Sequence, residues 1–423
     1  IHFQPGLNED LAATAIWGAQ QVNLWPGANY DGVFSIWYGK GPGVDRCGDV
    51  FKHGNHAGSS RHGGVLLVAG DDHGCKSSTL PHQSEYAFVA GGIPVLNPSS
   101  IQDYLDLGLH GFALSRYSGC WIGFKAVSET VDSSASVSVD PARVRTLEPT
   151  DWPMPDGGLN IRYPDPPPEL ENRLLRFKLP AAKAYVRANG LDRIEIDSKR
   201  ARLGIVASGK AYSDVRQALV MLGIDDSEAE ALGLRLYKVA MSWPLEPEGL
   251  TAFARDLEQI LVVEEKRALI EDQAKTILFN VAGAPRMILG KTDEAGKPLL
   301  PEIGEIDPAM VARVIVGRLT AEQDVSGLSE RLARLGQPAA QIAPGELRRS
   351  AYFCSGCPHN SSTKVPEGSR AMAGIGCHGM ALWVPARNTQ TITHMGGEGV
   401  NWIGQAPFTT ENHVFQNLGD GTY

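Results

Sequence analysis

Between Arg202 and Val263 the chain alternates apolar runs with amphipathic stretches, and this alternation constrains its fold more than any other feature. Arg202–Ala207 is an apolar run closed by Ser208-Gly209. Asp214–Leu222 places Val215, Ala218, Leu219 and Leu222 on one helical face, with Gly223 just past its end. Leu234–Met241 reads as a second strand, Leu250–Leu257 as a short helix behind Pro247, and Ile260–Val263 as a third strand. Repetition of this kind implies a parallel sheet joined by right-handed crossovers. Glu264-Glu265-Lys266-Arg267 follows the last strand and reads as its solvated, charged end.

This scaffold carries no histidine or cysteine; the chain keeps both for its two ends. Seven histidines lie between His2 and His110 and four between His359 and His413. Cys47, Cys75 and Cys120 are followed by Cys354, Cys357 and Cys377 only far downstream. Eight prolines between Pro141 and Pro168 can continue neither a helix nor a central strand. A second Pro/Gly-rich stretch, 285–344, holds helical patterns at Ala309–Leu319 and Leu328–Leu335. A chain of 423 residues allows two to four domains at ~150 residues each. Its net charge of −9 argues against a nucleic-acid partner, and no apolar run approaches the ~18 residues of a membrane span. The chain opens on Ile1 without a basic and apolar leader, so a cytoplasmic protein with reduced thiols, or a piece of a longer chain, is expected.

The ends hold four groups of residues with chemical potential. Asn8 is a good N-cap for a helix running to about Asn23, and Glu9 and Asp10 suit its positive end. The buried strand Val65–Ala69 is followed by a loop, Asp71–Glu85, dense in ligand-type side chains; Lys76, Ser77, Ser78 and His82 are candidates to line a substrate crevice at the carboxyl end of a parallel sheet. Gly39-Lys40-Gly41-Pro42-Gly43 reads as a further loop. Cys354-x-x-Cys357 with Cys377 suits a shared metal centre, either an iron–sulfur cluster or zinc completed by His359 or His378. Gly419-Asp420-Gly421 suits a diphosphate–Mg²⁺ site, since Mg²⁺ takes one or two carboxylates plus phosphate oxygens and glycines admit the phosphates closely.

The motifs agree with one another. From Gly6-Leu7-Asn8-Glu9 through Tyr38-Gly39-Lys40-Gly41-Pro42-Gly43-Val44-Asp45-Arg46, Ser77-Ser78-Thr79-Leu80-Pro81-His82-Gln83-Ser84-Glu85, Phe353-Cys354-Ser355-Gly356-Cys357-Pro358-His359-Asn360, Gly374-Ile375-Gly376-Cys377-His378 and His394-Met395-Gly396-Gly397-Glu398-Gly399 to Gly419-Asp420-Gly421, the chain resembles the thiamine-diphosphate-dependent 2-oxoacid:ferredoxin oxidoreductases. Within them it is most similar to the long, fused bacterial indolepyruvate ferredoxin oxidoreductases. The resemblance covers essentially the whole chain.

That resemblance implies a multidomain α/β protein in which doubly wound pyrimidine- and diphosphate-binding domains flank a transketolase C-terminal-like α/β domain. The expected boundaries are 1–145 for the pyrimidine-type domain, 146–170 for a Pro-rich linker, 171–284 for the central domain, 285–345 for a second linker and 346–423 for the start of the diphosphate domain. It implies oxidative decarboxylation of arylpyruvates to acyl-coenzyme A, with electrons passed to ferredoxin. Glu9 stands where the family places the acid that activates the aminopyrimidine ring. Gly376, Gly397, Glu398, Gly419 and Gly421 match cofactor-binding positions, and Asp420 the Mg²⁺ ligand. Cys354, Cys357 and Cys377 match ligands of a 4Fe-4S cluster. The full-length enzyme is expected to be a homo-oligomer. The family's second Mg²⁺ ligand and fourth cluster ligand have no counterpart in residues 1–423, so an internal fragment, inactive by itself, is expected. The alternative is a non-catalytic α/β interaction module stabilised by zinc on the three cysteines and a histidine.

Overall fold

The computed structural model describes residues 1–140, 142–320, 327–335, 352–419 and 422. The chain divides into two compact units, 1–337 and 338–423. The first contains strands β1 (Phe34–Lys40), β2 (Gly64–Asp71), β3 (Val95–Leu96), β4 (Ile122–Val127), β5 (Arg193–Asp197), β6 (Leu203–Ser208), β7 (Leu234–Val239), β8 (Met241–Trp243), β9 (Gln259–Val263) and β10 (Met287–Leu289). The second contains β11 (Ala371–Ala373), β12 (Thr389–Ile392) and β13 (Phe415–Gln416).

In the first sheet the order is β1-β2-β4-β3-β8. β1, β2, β4 and β3 run parallel, while β8 arrives from the middle of the chain and pairs antiparallel with β3. The register sets Lys40 against Gly70 and Asp71 against Val127, so β1, β2 and β4 end level. β2 is Gly-Val-Leu-Leu-Val-Ala-Gly-Asp, the near-continuous apolar run of a strand covered on both faces. One face packs Trp37, Phe51, Leu67, Phe88 and Trp121. The other packs Leu66, Leu114 and Ile122 against Leu179 and Tyr185 of the helix Leu179–Ala188.

The second sheet has the order β10-β9-β6-β7-β5, parallel except for the edge strand β5. Its crossovers are the helices Gly209–Met221 and Pro247–Ala254, and the apolar face read from the sequence is buried through Val215, Ala218 and Leu219. Separate apolar clusters cover its two faces, so this sheet too is doubly wound. The helices Pro308–Thr320 and Leu328–Leu335 complete one of these layers.

Two local readings differ from the structure. Gly41-Pro42-Gly43 is the first turn of a helix, Gly41–Arg46, because proline is tolerated where the backbone N–H has no partner within the helix. Glu264, Glu265 and Lys266 are not solvated: their exposures are 6%, 8% and 7%. Glu264 accepts the backbone N–H groups of Leu269, Ile270 and Glu271 at 2.8–3.1 Å, capping the helix Ile270–Leu278. Glu265 pairs with Lys210 at 3.0 Å, and Lys266 donates to the carbonyl of His73. Partners so distant in sequence cannot be read from a charge run.

In the second unit β11 lies between β12 and β13, and all three run parallel. No helix among the described residues is long and apolar enough to cross a membrane.

Candidate functional site

In the first unit the candidate residues gather where β1 and β2 end. Asn8 caps the helix Glu9–Gln21 by accepting the N–H of Leu11 at 3.0 Å, which fixes Glu9 at its first position. The Glu9 carbonyl accepts from Trp37 Nε1 at 3.0 Å, tying that helix end to β1. The Glu9 carboxylate is 38% exposed and stands 3.8 Å from Arg46 Nε. A Cβ on Gly43 would lie 2.7 Å from Glu9 Cγ, and one on Gly41 would collide with the His82 ring. The two glycines therefore let the helix Gly41–Arg46 approach both side chains. His82 Nε2 pairs with Asp45 at 3.3 Å.

The loop after β2 is held at both ends. Asp72 accepts the N–H groups of Lys76 and Ser77 at 2.9 and 2.7 Å; burial opposes its charge, but these bonds outweigh it and hold the carboxyl below its usual range. Lys40 Nζ donates to the Ser77 carbonyl, and the Ser78 side chain also supports the Asp72 charge. At the far end Asp71 accepts from the backbone and hydroxyl of Ser84 at 2.8 and 2.5 Å, and Glu85 pairs with Lys125 at 2.5 Å. Burial pushes Asp71 up. Burial also opposes the charge on Glu85, but Lys125 and His73 outweigh it and hold that carboxyl down. The loop thus stands at the carboxyl end of its sheet, with His82 over Gly41 and Glu9 over Gly43. Lys76 differs from the others: it bridges Glu129 at 2.6 Å and Glu305 at 3.2 Å on the wall of a 540 Å³ cleft.

In the second unit each glycine motif follows the carboxyl end of a parallel strand: Gly374-Ile375-Gly376 after β11, His394–Gly399 after β12 and Gly419 after β13. Glu398, 8% exposed, joins them. It accepts the N–H of Ile375 at 3.3 Å, the N–H of Gly396 at 2.7 Å and the Thr422 hydroxyl at 2.7 Å. Burial opposes its charge, but these donors, Thr422 foremost, hold its carboxyl below the usual range. A Cβ on Gly374 would sit 2.7 Å from the Asn417 carbonyl and 2.9 Å from Glu398 Cγ, and one on Gly397 would strike the His394 ring. The glycines are thus required for the loops to close on one another. Asp420 and Gly421 lie outside the described residues.

The three cysteines of this unit do not come together as a metal centre. Cys354 and Cys357 flank a turn closed by the Cys357 N–H to the Cys354 carbonyl at 3.0 Å. Cys357 Sγ lies 3.2 Å from His359 Nδ1. Cys377 opens a separate 3₁₀ turn and is exposed, as is Cys354. It is the ring of His378, next along, that faces His359, at 6.0 Å between centroids. Among the described residues no three His, Cys, Asp or Glu side chains are placed to hold a metal ion.

Sequence reasoning singled out Glu9, His82 and the glycine motifs. It quoted Asp45 and Arg46 only as part of a motif and placed Asp71, His73 and Glu85 in a candidate loop without foreseeing their burial, and it missed Lys125. The one available signal was Ser84-Glu85 at the start of a helical pattern, where an acid is ordinary.

Comparison with known proteins adds an independent line. Residues 193–341 match the family described as indolepyruvate oxidoreductase domain. The chain is 24% identical over 435 residues to the indolepyruvate oxidoreductase subunit IorA of Methanothermobacter marburgensis, a match covering 100% of this chain and 64% of that protein. The same subunit of Methanothermobacter thermautotrophicus is 26% identical, with the same shares covered. That of Pyrococcus abyssi is 23% identical over 88% of this chain and 55% of its own length. The chain therefore spans less than two thirds of the length of these relatives. A solved 2-oxoglutarate:ferredoxin oxidoreductase from Magnetococcus marinus aligns with 74% of this chain and 56% of its own at 14% identity and a TM-score of 0.46, a likeness too remote to carry an argument.

Proposed function

We propose, on the premise that this chain is a relative of the indolepyruvate oxidoreductases, that it supplies cofactor-binding parts of an enzyme that oxidatively decarboxylates 2-oxoacids of the arylpyruvate class. Coenzyme A is the acyl acceptor and ferredoxin the electron acceptor. The observation that carries this reading is the convergence of three separate glycine motifs on Glu398 at the carboxyl ends of β11, β12 and β13, where open parallel sheets bind ligands.

Glycine-lined loops, closed so tightly that a Cβ at Gly374 or Gly397 would not fit, suit the diphosphate of thiamine diphosphate. Bound there, the cofactor supplies the electron sink for decarboxylation. Glu398 has its oxygens engaged by Ile375, Gly396 and Thr422, so its part is to hold the loops in position. Gly376 and Gly419 border the same space, and Asp420 with Gly421 would bring the carboxylate suited to Mg²⁺. In the first unit Glu9, partly exposed and 3.8 Å from Arg46, is the group to share a proton with the aminopyrimidine ring. Ser77, Ser78 and His82 are placed to line the approach of the substrate, and Lys76 is held back by two glutamates.

The test is anaerobic reduction of ferredoxin by the full-length protein with thiamine diphosphate, Mg²⁺ and coenzyme A, across indolepyruvate, phenylpyruvate, pyruvate and 2-oxoglutarate. The proposal expects reduction that requires both thiamine diphosphate and coenzyme A and is fastest with the aryl substrates. Binding of thiamine diphosphate without reduction by any 2-oxoacid would overturn it.

A further inference from the structure

The carboxyl ends of β2 and β4 face those of β6 and β9 across a narrow, partly open chamber of about 20 Å³, walled by His73, Glu85, Asn97, Lys125, Ser208 and Glu265 among others. Three of these side chains are more than nine-tenths buried: His73, Ser208 and Glu85 are 3%, 4% and 5% exposed. Each has a polar atom without a protein partner: His73 Nε2, Ser208 Oγ and Glu85 Oε2. Buried polar atoms are almost always satisfied, because leaving one unpaired costs its full desolvation. His73 Nε2 stands 4.0 Å from Asp71 Oδ2 and His73 Nδ1 3.7 Å from Glu265 Oε2, distances at which a bridging molecule is the natural link.

Charge and size define the guest. Glu85 is matched by Lys125 at 2.5 Å and Glu265 by Lys210 at 3.0 Å, while the oxygens of Glu264 are spent on three backbone N–H groups. Lys125 also lies 3.9 Å from Asp71, and the two ammonium groups on the wall disfavour a cation. The volume exceeds the roughly 10–15 Å³ that one water needs, and three polar partners fall within the two to four that a buried water requires.

We propose that this chamber holds one ordered water shared by His73 Nε2, Glu85 Oε2 and Ser208 Oγ, and that the water ties the loop Asp72–Ser84 to the second sheet. The same seam carries direct links: Lys266 to the His73 carbonyl, Gln83 to the backbone of Arg267, and the Tyr86 hydroxyl to the Ala268 carbonyl. The sheet that contains most of the family-matched segment thereby anchors the loop that bears Ser77, Ser78 and His82. The inference does not depend on which cofactor or substrate the protein takes.

Crystallography at a resolution that shows ordered water tests the first half. A single peak within hydrogen-bond distance of all three atoms is expected. A chamber closed by a direct bond between His73 Nε2 and a carboxylate, a dry one, or a peak with cation coordination would overturn it. Hydrogen exchange tests the second half. Ser208→Ala should speed exchange of the 72–84 amides by about ten-fold, the effect of one lost hydrogen bond, and Ser208→Thr, which keeps the hydroxyl, should restore exchange to within about two-fold of the wild type. Exchange in the β6 and β9 cores serves as the folding control. An unchanged loop in Ser208→Ala, or acceleration that Ser208→Thr does not reverse, would show that the water does not anchor it.

Discussion

The first unit and the second both carry their candidate residues on loops after parallel strands, but they hold those loops by different means. The strands β1, β2 and β4 are six to eight residues long, and the last two are buried on both faces. Their loops are pinned by buried polar contacts: the ion pair of Glu85 with Lys125, the hydrogen bonds of Ser84 to Asp71, and the bond of Lys266 to the His73 carbonyl. The strands β11, β12 and β13 have three, four and two residues, and one carboxylate, Glu398, gathers their loops through backbone N–H groups and a hydroxyl. Buried pairs make a loop rigid at the risk of a large penalty when one partner is lost. A single carboxylate collecting amide donors leaves the loops dependent on one residue, and the damage from its loss stays local.

Lys125→Met is the sharpest way to break this contrast. It leaves Glu85 and Asp71 uncompensated in the interior, and a loss of about 3–5 kcal/mol is expected as a fall in the denaturant midpoint with an unchanged m-value. A loss below about 1 kcal/mol would mean that the pair is not buried as described. Glu398→Gln should cost about 1–3 kcal/mol, confined to the second unit. The amides of Ile375 and Gly396 should exchange faster while the unfolding midpoint followed at Trp37 and Trp121 stays in place; a shift of that midpoint would contradict the local character of the clasp.

The pH dependence of the first unit separates two buried glutamates. Burial opposes the charge on Glu265, but His73 and Lys210 outweigh it and bring its carboxyl down to about 2. Its folded value lies below the unfolded one, so its contribution to stability is complete above about pH 4.5 and fades as the pH falls toward 2. Burial pushes Glu264 up to about 7 against the N–H groups that cap it. The folded state then binds the extra proton, so Glu264 costs stability progressively as the pH rises from about 4.5 to 7. Midpoints measured across pH should show Glu265→Gln flattening the acid limb and Glu264→Gln flattening the decline toward neutrality. Smallest of all, Arg370→Ala removes a forked pair with the half-exposed Glu411 and should shift the unfolding midpoint less than any of the substitutions above.

The scaffold was legible because its signals are local. The strands around Ile205 and Ile260, the helical face of Val215 and Leu219, and the Asn8 cap each depend on residues within one turn or strand. The glycine motifs were legible as loops, and their resemblance to a family gave them a purpose. Glu264–Lys266 was misread because its partners, His73 and Lys210, lie 193 and 55 residues away along the chain. Gly41-Pro42-Gly43 was misread because glycine and proline signal a loop unless a neighbouring helix end, here that of Glu9, needs a backbone without Cβ atoms. The insertion of β8 beside β3 has no sequence signal, since Met241–Trp243 reads as a continuation of β7. The cysteines were grouped by spacing, by their distance from a cysteine-free middle and by resemblance to a family, none of which shows that Cys377 starts a separate turn.

The central claim is that Glu9 is a proton-sharing acid and not simply a favourable residue at a helix N-terminus. Glu9→Gln keeps the shape and removes the acid. In arylpyruvate-dependent ferredoxin reduction by the full-length enzyme a fall of about 10²–10⁴-fold is expected, with the thermal midpoint within about 1 °C of the wild type, since the dipole interaction lost is small. Activity within about three-fold of the wild type would contradict it and leave Glu9 as a helix-end charge.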